Sequence, residues 1–358
     1  MSAPLAPLIS RLLSRSSRGL ALGLDRVESA LATLGSPHLD LAAVVVAGTN
    51  GKGSTAAMLE SVALHAGLRA GLTTSPHLSR FNERIRVAGA PIADDAFAAA
   101  LGRVLVDARD DLTFFETLTC AAFVAFAEAR VDIAVLEPRP LATGITAIAE
   151  GDGEGRHLEH AALLGDSVAA IAREKAGILR RSVPAVWGPM TAEATAVVAD
   201  VAREVGAGPC WQVTHGAPPP AGVEAVRVAS SGVRDVRVAL PEGPALELQI
   251  GLAGRHQHDN AAVAAALAWH VGAIWPEVRA AISRGIQAAR WPGRLERLAV
   301  GAGVDVWLDA AHNVDGARAL ARAFPELGPG PERVVLVFGA LADKAFVPVL
   351  ELVVRLAA

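Results

Sequence analysis

Cysteine is scarce in this sequence, and several other signals are missing altogether. Only Cys120 and Cys210 occur, which excludes a disulfide framework and is the usage of a reduced, cytoplasmic protein. Both read as buried thiols, and Cys120, inside the apolar stretch Leu118–Phe126, reads as core rather than as a nucleophile. No apolar run reaches the ~18 residues of a membrane span, so no membrane partner is expected. Charge of one sign is also lacking. The formal net charge of −4 gives no broad pull toward nucleic acid or an anionic surface. There is no internal repeat, low-complexity run or coiled-coil heptad.

What the chain does have is apolar content, 52% of 358 residues and much of it Ala. That is enough to bury a large core in about two domains of ~150 residues each. Near the start, Arg11, Arg15 and Arg18 lie among serines with no acid before Asp25, which imitates a transit peptide. The apolar stretch is too broken for a secretory signal. The expectation is an N-terminal helix packed on the domain, with Leu12, Leu13, Leu20, Leu22 and Leu24 supplying its buried side.

Strand-like and helix-like segments alternate, which argues for a mostly parallel sheet with crossover helices. Strands are predicted at Ala43–Ala47, Arg69–Thr73, Ile133–Glu137, Ala147–Ala149 and Ala185–Trp187. Helices are predicted at Ser54–Ala66, Asp94–Ala108, Thr117–Ala129, Ser167–Gly177 and Ala192–Val205. A more β-like region (Val223–Val228, Val233–Leu240, Ala245–Ile250) precedes a helix at Asp259–His270. The turn Trp291–Pro292–Gly293 marks a boundary, beyond which strands are expected at Val304–Asp309 and Arg333–Phe338. The domains are therefore expected to be 1–289 and 290–358.

The segment most charged with chemistry is Val44–Val45–Val46–Ala47–Gly48–Thr49–Asn50–Gly51–Lys52–Gly53–Ser54–Thr55. A β-branched run enters a Gly-rich turn that opens a helix. Backbone N–H groups, a helix N-terminus and an ammonium then surround one point, which suits a polyphosphate, and Ser54 can reach a bound Mg²⁺. The expected ligand is ATP. The spacing differs from G-x-x-x-x-G-K-[ST]: Val46 replaces the first glycine, and Gly53 separates Lys52 from Ser54. A Gly-rich turn with a solvated Lys is the alternative.

Further pieces follow in order: Leu22–Gly23–Leu24–Asp25–Arg26–Val27, Thr74–Ser75–Pro76–His77–Leu78, Asn82–Glu83–Arg84–Ile85–Arg86–Val87 and Thr113–Phe114–Phe115–Glu116. Then come Arg173–Glu174–Lys175–Ala176–Gly177–Ile178, Trp291–Pro292–Gly293–Arg294–Leu295–Glu296 and Asp309–Ala310–Ala311–His312–Asn313. With these in this order, the chain resembles the bifunctional dihydrofolate synthase/folylpolyglutamate synthase family, a branch of the Mur-type amide ligases. The resemblance implies an α/β, Mur-ligase-like fold: a P-loop, parallel-sheet ATP-binding domain followed by a smaller Rossmann-like domain. It implies a monomeric enzyme that uses ATP and Mg²⁺ to join L-glutamate to dihydropteroate or folate through an acyl phosphate.

The resemblance also assigns roles. Gly51, Lys52, Gly53 and Ser54 would cradle phosphate. Asn260, Arg294 and Asp309 would contact ATP, and His312 would sit near the glutamate or the transferring phosphoryl group. Ser75, Glu137 and His160 would hold the metal, and Lys175, often carbamylated in the family, would help. Ala21, Leu22, Gly23, Leu24 and Thr113, Phe114, Phe115, Glu116 would line the pteridine side. Each role has a plainer alternative on the residues alone. Ser75 can be a turn serine and His160 a surface residue. Lys175 can complement a helix dipole, His312 and Asn313 can belong to a helix cap, and the two phenylalanines can be core.

Two departures stand out. After Glu137 the family continues V-G-L-G-G-R-L-D-A-T-N, whereas here Pro138–Arg139–Pro140–Leu141–Ala142–Thr143–Gly144 follows, then a loop-like run over 150–156. The prolines remove N–H donors and fix φ. The family's second domain also extends beyond the counterpart of Gly339–Lys344 for several more strands and helices, so a truncated sheet with an unpaired edge is expected. These departures keep two other functions open: a nucleotide-binding remnant without ligase activity, and a Mur-type ligase acting on cell-wall precursors.

Overall fold

The computed structural model describes residues 5–19, 23–108, 111–136, 140–148, 167–300, 304–327, 334–340 and 346–357. The chain divides into two compact units, Met1–Val44 with Ala63–Pro140, and Val45–Val62 with Leu141–Ala358.

In the first unit, helices α1 (Leu5–Ser14) and α2 (Asp25–Thr33) lead into strand β1 (Ala42–Ala47), whose first half belongs here. Strands β2 (Ala70–Thr73), β3 (Ile85–Val87), β4 (Ala90–Pro91) and β5 (Ile133–Val135) complete the order β1-β5-β2-β3-β4. The pairs β1–β5 and β2–β5 are parallel, with Val44 and Leu72 both level with Val135, while β3 and β4 are antiparallel. Helices α4 (Asp94–Asp107) and α5 (Phe114–Glu128) cover the sheet with Phe97, Leu101, Val104, Phe123 and Phe126. Helix α5 starts where it does because Thr113 and Glu116 form a capping box: Glu116 N donates to Thr113 Oγ1 and Thr113 N to the Glu116 carboxylate.

Helix α1 is real, but its buried side is Leu5, Ile9 and Leu12. Leu13 and Leu24 are half exposed, and Leu20 and Leu22 lie outside the described residues. One face of a helix cannot include the consecutive pair Leu12 and Leu13 equally, since neighbours diverge by about 100°.

The second unit takes the second half of β1 and most of helix α3 (Lys52–His65). It adds β6 (Pro140–Ile145), α6 (Val168–Ala176), β7 (Ala185–Trp187), α7 (Ala192–Val205), β8 (Cys210–Thr214), β9 (Glu224–Ser230), β10 (Asp235–Ala239), β11 (Leu246–Gln249), α8 (His256–Val271) and α9 (Pro276–Ala288). The order is β11-β10-β9-β8-β7-β6-β1, parallel from β6 to β9 and antiparallel beyond. Helix α8 is apolar almost all round and correspondingly buried.

Of the strand predicted at Ala147–Ala149, the described residues Ala147 and Ile148 lie in no strand. Thr143, Gly144 and Ile145 form the ladder with β7 instead, and Ala147 makes only an isolated bridge to Asn50. Pro140 does not spoil β6 because it is the strand's first residue, where a missing N–H costs the ladder least. The loop-like run at 150–156 lies outside the described residues.

Beyond residue 290, β12 (Glu296–Ala299) and β13 (Asp305–Leu308) form an antiparallel pair, and α10 (Val314–Ala323) and α11 (Phe346–Val353) pack together through Ala317, Val349 and Val353. The strand predicted at Arg333–Phe338 is, over 334–340, a stretch with no ladder partner among the described residues. Its alternation persists: Leu336 and Phe338 pack on the α10–α11 core, while Val335 and Val337 are 89% and 92% exposed. Among the described residues no helix is long and apolar enough to cross a membrane.

Phe97 is fully buried in the first unit, so Phe97→Ala is expected to cost about 3–5 kcal/mol, read as a lower urea midpoint with an unchanged slope.

Candidate active site

Strand β1 is buried and β-branched, and it ends where a side chain can no longer be accommodated. Gly48 has φ 139° and Gly51 φ 90°, both in the region that only glycine adopts readily. A Cβ at Gly48 would lie 2.0 Å from Thr146 Oγ1, and one at Gly51 2.2 Å from Asn260 Oδ1. The turn is fastened by the segment leaving β6: Thr49 N donates to Ala147 O (2.7 Å), Ala147 N to Asn50 O (3.3 Å) and the Thr146 hydroxyl to Asn50 O (2.6 Å). Helix α3 begins at Lys52, so the amides of Lys52, Gly53 and Ser54 are among those an α-helix leaves without intrahelical acceptors. Thr55 N closes the first turn on Gly51 O at 2.9 Å.

Two cations converge on this turn. Lys52 Nζ donates to Gly48 O (2.6 Å) and Thr49 O (2.8 Å), and Lys175 Nζ, from the last turn of α6, donates to the same Gly48 O at 3.0 Å. Lys175 therefore does more than complement the dipole of its own helix. A third wall comes from α8. Asn260 Nδ2 donates to Gln257 Oε1 (2.9 Å), Asn260 O accepts from the Thr55 hydroxyl (3.4 Å), and its amide oxygen faces Gly51. His215 Nε2 meets Asp259 Oδ1 at 2.7 Å, tying the loop after β8 to α8. That hydrogen bond raises the His215 pKa against the opposing effect of burial.

The segment after residue 290 reaches the same turn. Asn50 and Asn313 exchange amide hydrogen bonds (Asn313 Nδ2 to Asn50 Oδ1, 2.9 Å; Asn50 Nδ2 to Asn313 Oδ1, 3.3 Å), and Asn313 also caps α10 by accepting from Gly316 N at 2.8 Å. The Trp291 indole lies over Gly53. Asp309 accepts from Leu295 N (2.9 Å) and Ala311 N (2.8 Å), so it braces the two loops that carry Arg294 and His312. Arg294 donates to Gly293 O (3.2 Å), and the exposed His312 holds Ala310 O through Nδ1 (2.9 Å). Burial lowers the pKa of His256; Asp309 pushes it up and Arg294 pushes it down, which places all three in one electrostatic neighbourhood.

The first unit holds a separate group. Ser75 is exposed in the loop after β2, Gly23 has φ 98° just before α2, and Leu24 precedes Asp25 at the start of that helix. Glu116 is buried and receives Arg26 Nη2 at 2.7 Å. Burial pushes its pKa up, but the hydrogen bonds from Arg26 and Thr113 outweigh that and hold the carboxyl below its usual range. Of the two phenylalanines, Phe114 packs on the core and Phe115 is 52% exposed. Ala21, Leu22, Glu137 and His160 lie outside the described residues, and among the described residues no three His, Cys, Asp or Glu cluster as a metal site.

Comparison with known proteins fits this geometry. The profile of the Mur ligase, glutamate ligase domain matches residues 293–355. The dihydrofolate synthase/folylpolyglutamate synthase of Bacillus subtilis is 33% identical over 353 residues, covering 92% of this chain and 77% of the relative. The chain belongs to the dihydrofolate synthase/folylpolyglutamate synthase family. A probable bifunctional folylpolyglutamate synthase/dihydropteroate synthase of Haloferax volcanii is 36% identical over 90% of this chain, which spans 38% of that longer protein. Among solved structures, the Escherichia coli family member FolC in complex with DHPP and ADP superposes with a TM-score of 0.84 at 32% identity, covering all of this chain and 82% of that one. The fold is thus the Mur-ligase α/β fold.

Sequence reasoning assigned Lys52 to phosphate, Asn260 to ATP and Lys175 to the metal, and the structure brings all three to one turn. It assigned nothing to Thr146, and Trp291 served as a boundary marker and a motif residue without a role. The clash a Cβ would meet at Gly48 and the hydroxyl's bond to Asn50 O reveal Thr146, and no sequence pattern carries either.

The His215–Asp259 pair has a pH signature. The folded pKa of His215 is raised, so the pair's stabilisation is fully present below the ordinary histidine value and fades as pH rises through the folded one. Across pH 5.5–8.5, Asp259→Asn is expected to flatten that part of the urea-midpoint profile.

Proposed function

We propose that this chain is an ATP-dependent ligase that joins L-glutamate to dihydropteroate or to a reduced folate through an acyl phosphate. The observation that carries the reading is the convergence of Lys52 and Lys175 on the Gly48 carbonyl at the N-terminus of α3. Phosphoryl transfer asks for positioning and charge neutralisation more than for a covalent nucleophile, and this corner supplies helix-end amides and two ammonium groups. ADP and DHPP in the Escherichia coli relative are the ligands this reading requires.

In this reading the amides of Lys52, Gly53 and Ser54 hold the β- and γ-phosphates, and Lys52 neutralises their charge. The acid's carboxylate takes the γ-phosphoryl group, ADP leaves, the glutamate amine attacks the acyl carbon, and phosphate departs. Arg294 brings a planar donor fork toward the phosphates, Asn260 contacts the nucleotide, and Asp309 acts on it or holds Arg294 and His312 in position. His312 serves the glutamate step. Mg²⁺ supplies further neutralisation of the phosphate oxygens. Ser75 would offer the hard oxygen Mg²⁺ prefers, and Glu137 and His160 would be the other residues to hold the ion. Carbamylation of Lys175 would turn its ammonium into a carboxylate suited to the same ion. Gly23, Leu24 and Thr113–Glu116 serve the pteridine side. Residues 290–358 form the glutamate-ligase portion, a division supported by the family match from residue 293.

ADP release from the purified protein is expected to require both pteroate and glutamate. Release that ignores either one, or ATP binding without turnover, would point to a remnant or a different ligase. Arg294→Ala is expected to lower kcat about 10²-fold with an unchanged unfolding midpoint.

A further inference from the structure

Three arginines of the first unit meet acids: Arg26 meets Glu116, Arg80 meets Asp94 and Arg103 meets Glu128. Arg84 does not. It is half buried, and burial lowers its pKa with no carboxylate acting against that. Its Nε–H donates to His77 Nδ1 at 2.9 Å, and among the described residues its terminal Nη groups have no acceptor. A guanidinium drawn out of water without an anion is a cost that the fold does not offset.

The group is nonetheless held firmly. Arg84 O accepts from Thr74 N (3.0 Å) and the Thr73 hydroxyl (2.9 Å), which fixes its backbone beside the loop that bears Ser75. The guanidinium carbon lies 5.3 Å from the centre of the Phe114 ring. Phe81 packs edge-on against Phe114 at 6.4 Å, and His77 sits 4.5 Å from Phe81. To accept from Arg84, His77 must be neutral at Nδ1. An aromatic wall therefore flanks a forked donor whose outer edge is unused.

We propose that Arg84 receives the carboxylate of the aromatic acid substrate on its Nη edge, with the substrate's aryl ring lying along Phe114. This rests on the ligase reading above and names the residue that recognises the acid. The fork matches a carboxylate bidentately. The adjoining rings favour an aryl acid over glutamate, which has no aromatic surface to lay against them.

The test is pteroate binding and steady-state kinetics for the native chain, Arg84→Gln, Arg84→Lys and His77→Ala. Arg84→Gln is expected to weaken pteroate binding about 10- to 100-fold, the usual scale for a hydrogen-bonded ion pair. Arg84→Lys should recover part of that loss. The KM values for ATP and glutamate should stay put, as should the affinity for an uncharged pterin lacking the benzoate. Because the cation is unpaired, the urea midpoint of Arg84→Gln should hold or rise, whereas a structural arginine would lower it. His77→Ala keeps the charge but frees the side chain, and should raise the pteroate KM if Arg84→Gln fails to fold.

Unchanged pteroate affinity in Arg84→Gln, an equal loss for the uncharged pterin, or a shift confined to the glutamate KM would each overturn the assignment while leaving the ligase reading intact. A native chain that neither binds nor turns over pteroate would overturn both.

Discussion

Everything at the candidate active site hangs on how the backbone leaves β1. The Gly48 carbonyl must point outward to meet two lysines, and the first amides of α3 must be left facing away from the sheet. Neither follows from glycine content alone. The turn is held from outside by Thr146 and Ala147, which anchor Thr49 and Asn50, and from α8 by Asn260, whose amide oxygen fills the space beside Gly51. A loop pinned on both sides loses little entropy when an anion arrives, which is the physical content of preorganisation.

The same turn is where distant parts of the second unit meet. Asn313 caps α10 and simultaneously pairs with Asn50, so one amide both starts a helix and touches the glycine turn after β1. Asp309 braces the loops on either side of it. Such double use couples the position of Arg294 and His312 to the integrity of the 290–327 segment. Charges in the first unit are arranged differently: Arg26, Arg80 and Arg103 answer carboxylates, whereas Arg84 is presented over an aromatic face.

Much of the fold was legible because burial leaves a periodic trace. The strand Ala185–Trp187 and helix Ala192–Val205 were read with the bounds the structure has, since a short buried run and a Thr191-capped amphipathic helix are both local signals. β6 was misplaced because Pro140 reads as a breaker unless one knows that it stands at a strand's first position. β8 and α9 were not anticipated. β8 is short and begins at the partly buried Cys210, and helix α9 starts at Pro276, a position where proline favours a helix. Over 334–340 the alternation was real, but a ladder needs a neighbour, and pairing is not encoded in one strand.

By itself the amino-acid sequence determined the parallel α/β class, the glycine turn with its lysine and hydroxyl, and the order of motifs that marks the family. These are local facts: side-chain periodicity, positive-φ requirements and spacing along one stretch. Only the tertiary structure decided that Lys52 and Lys175 share a carbonyl, that Thr146 locks the turn, that Asn50 answers Asn313, and that Arg84 stands without an acid. Each of these depends on residues far apart in the chain arriving within about 3 Å of one another, or failing to. Hydrogen bonding and charge pairing act at that distance, and the sequence alone does not record it.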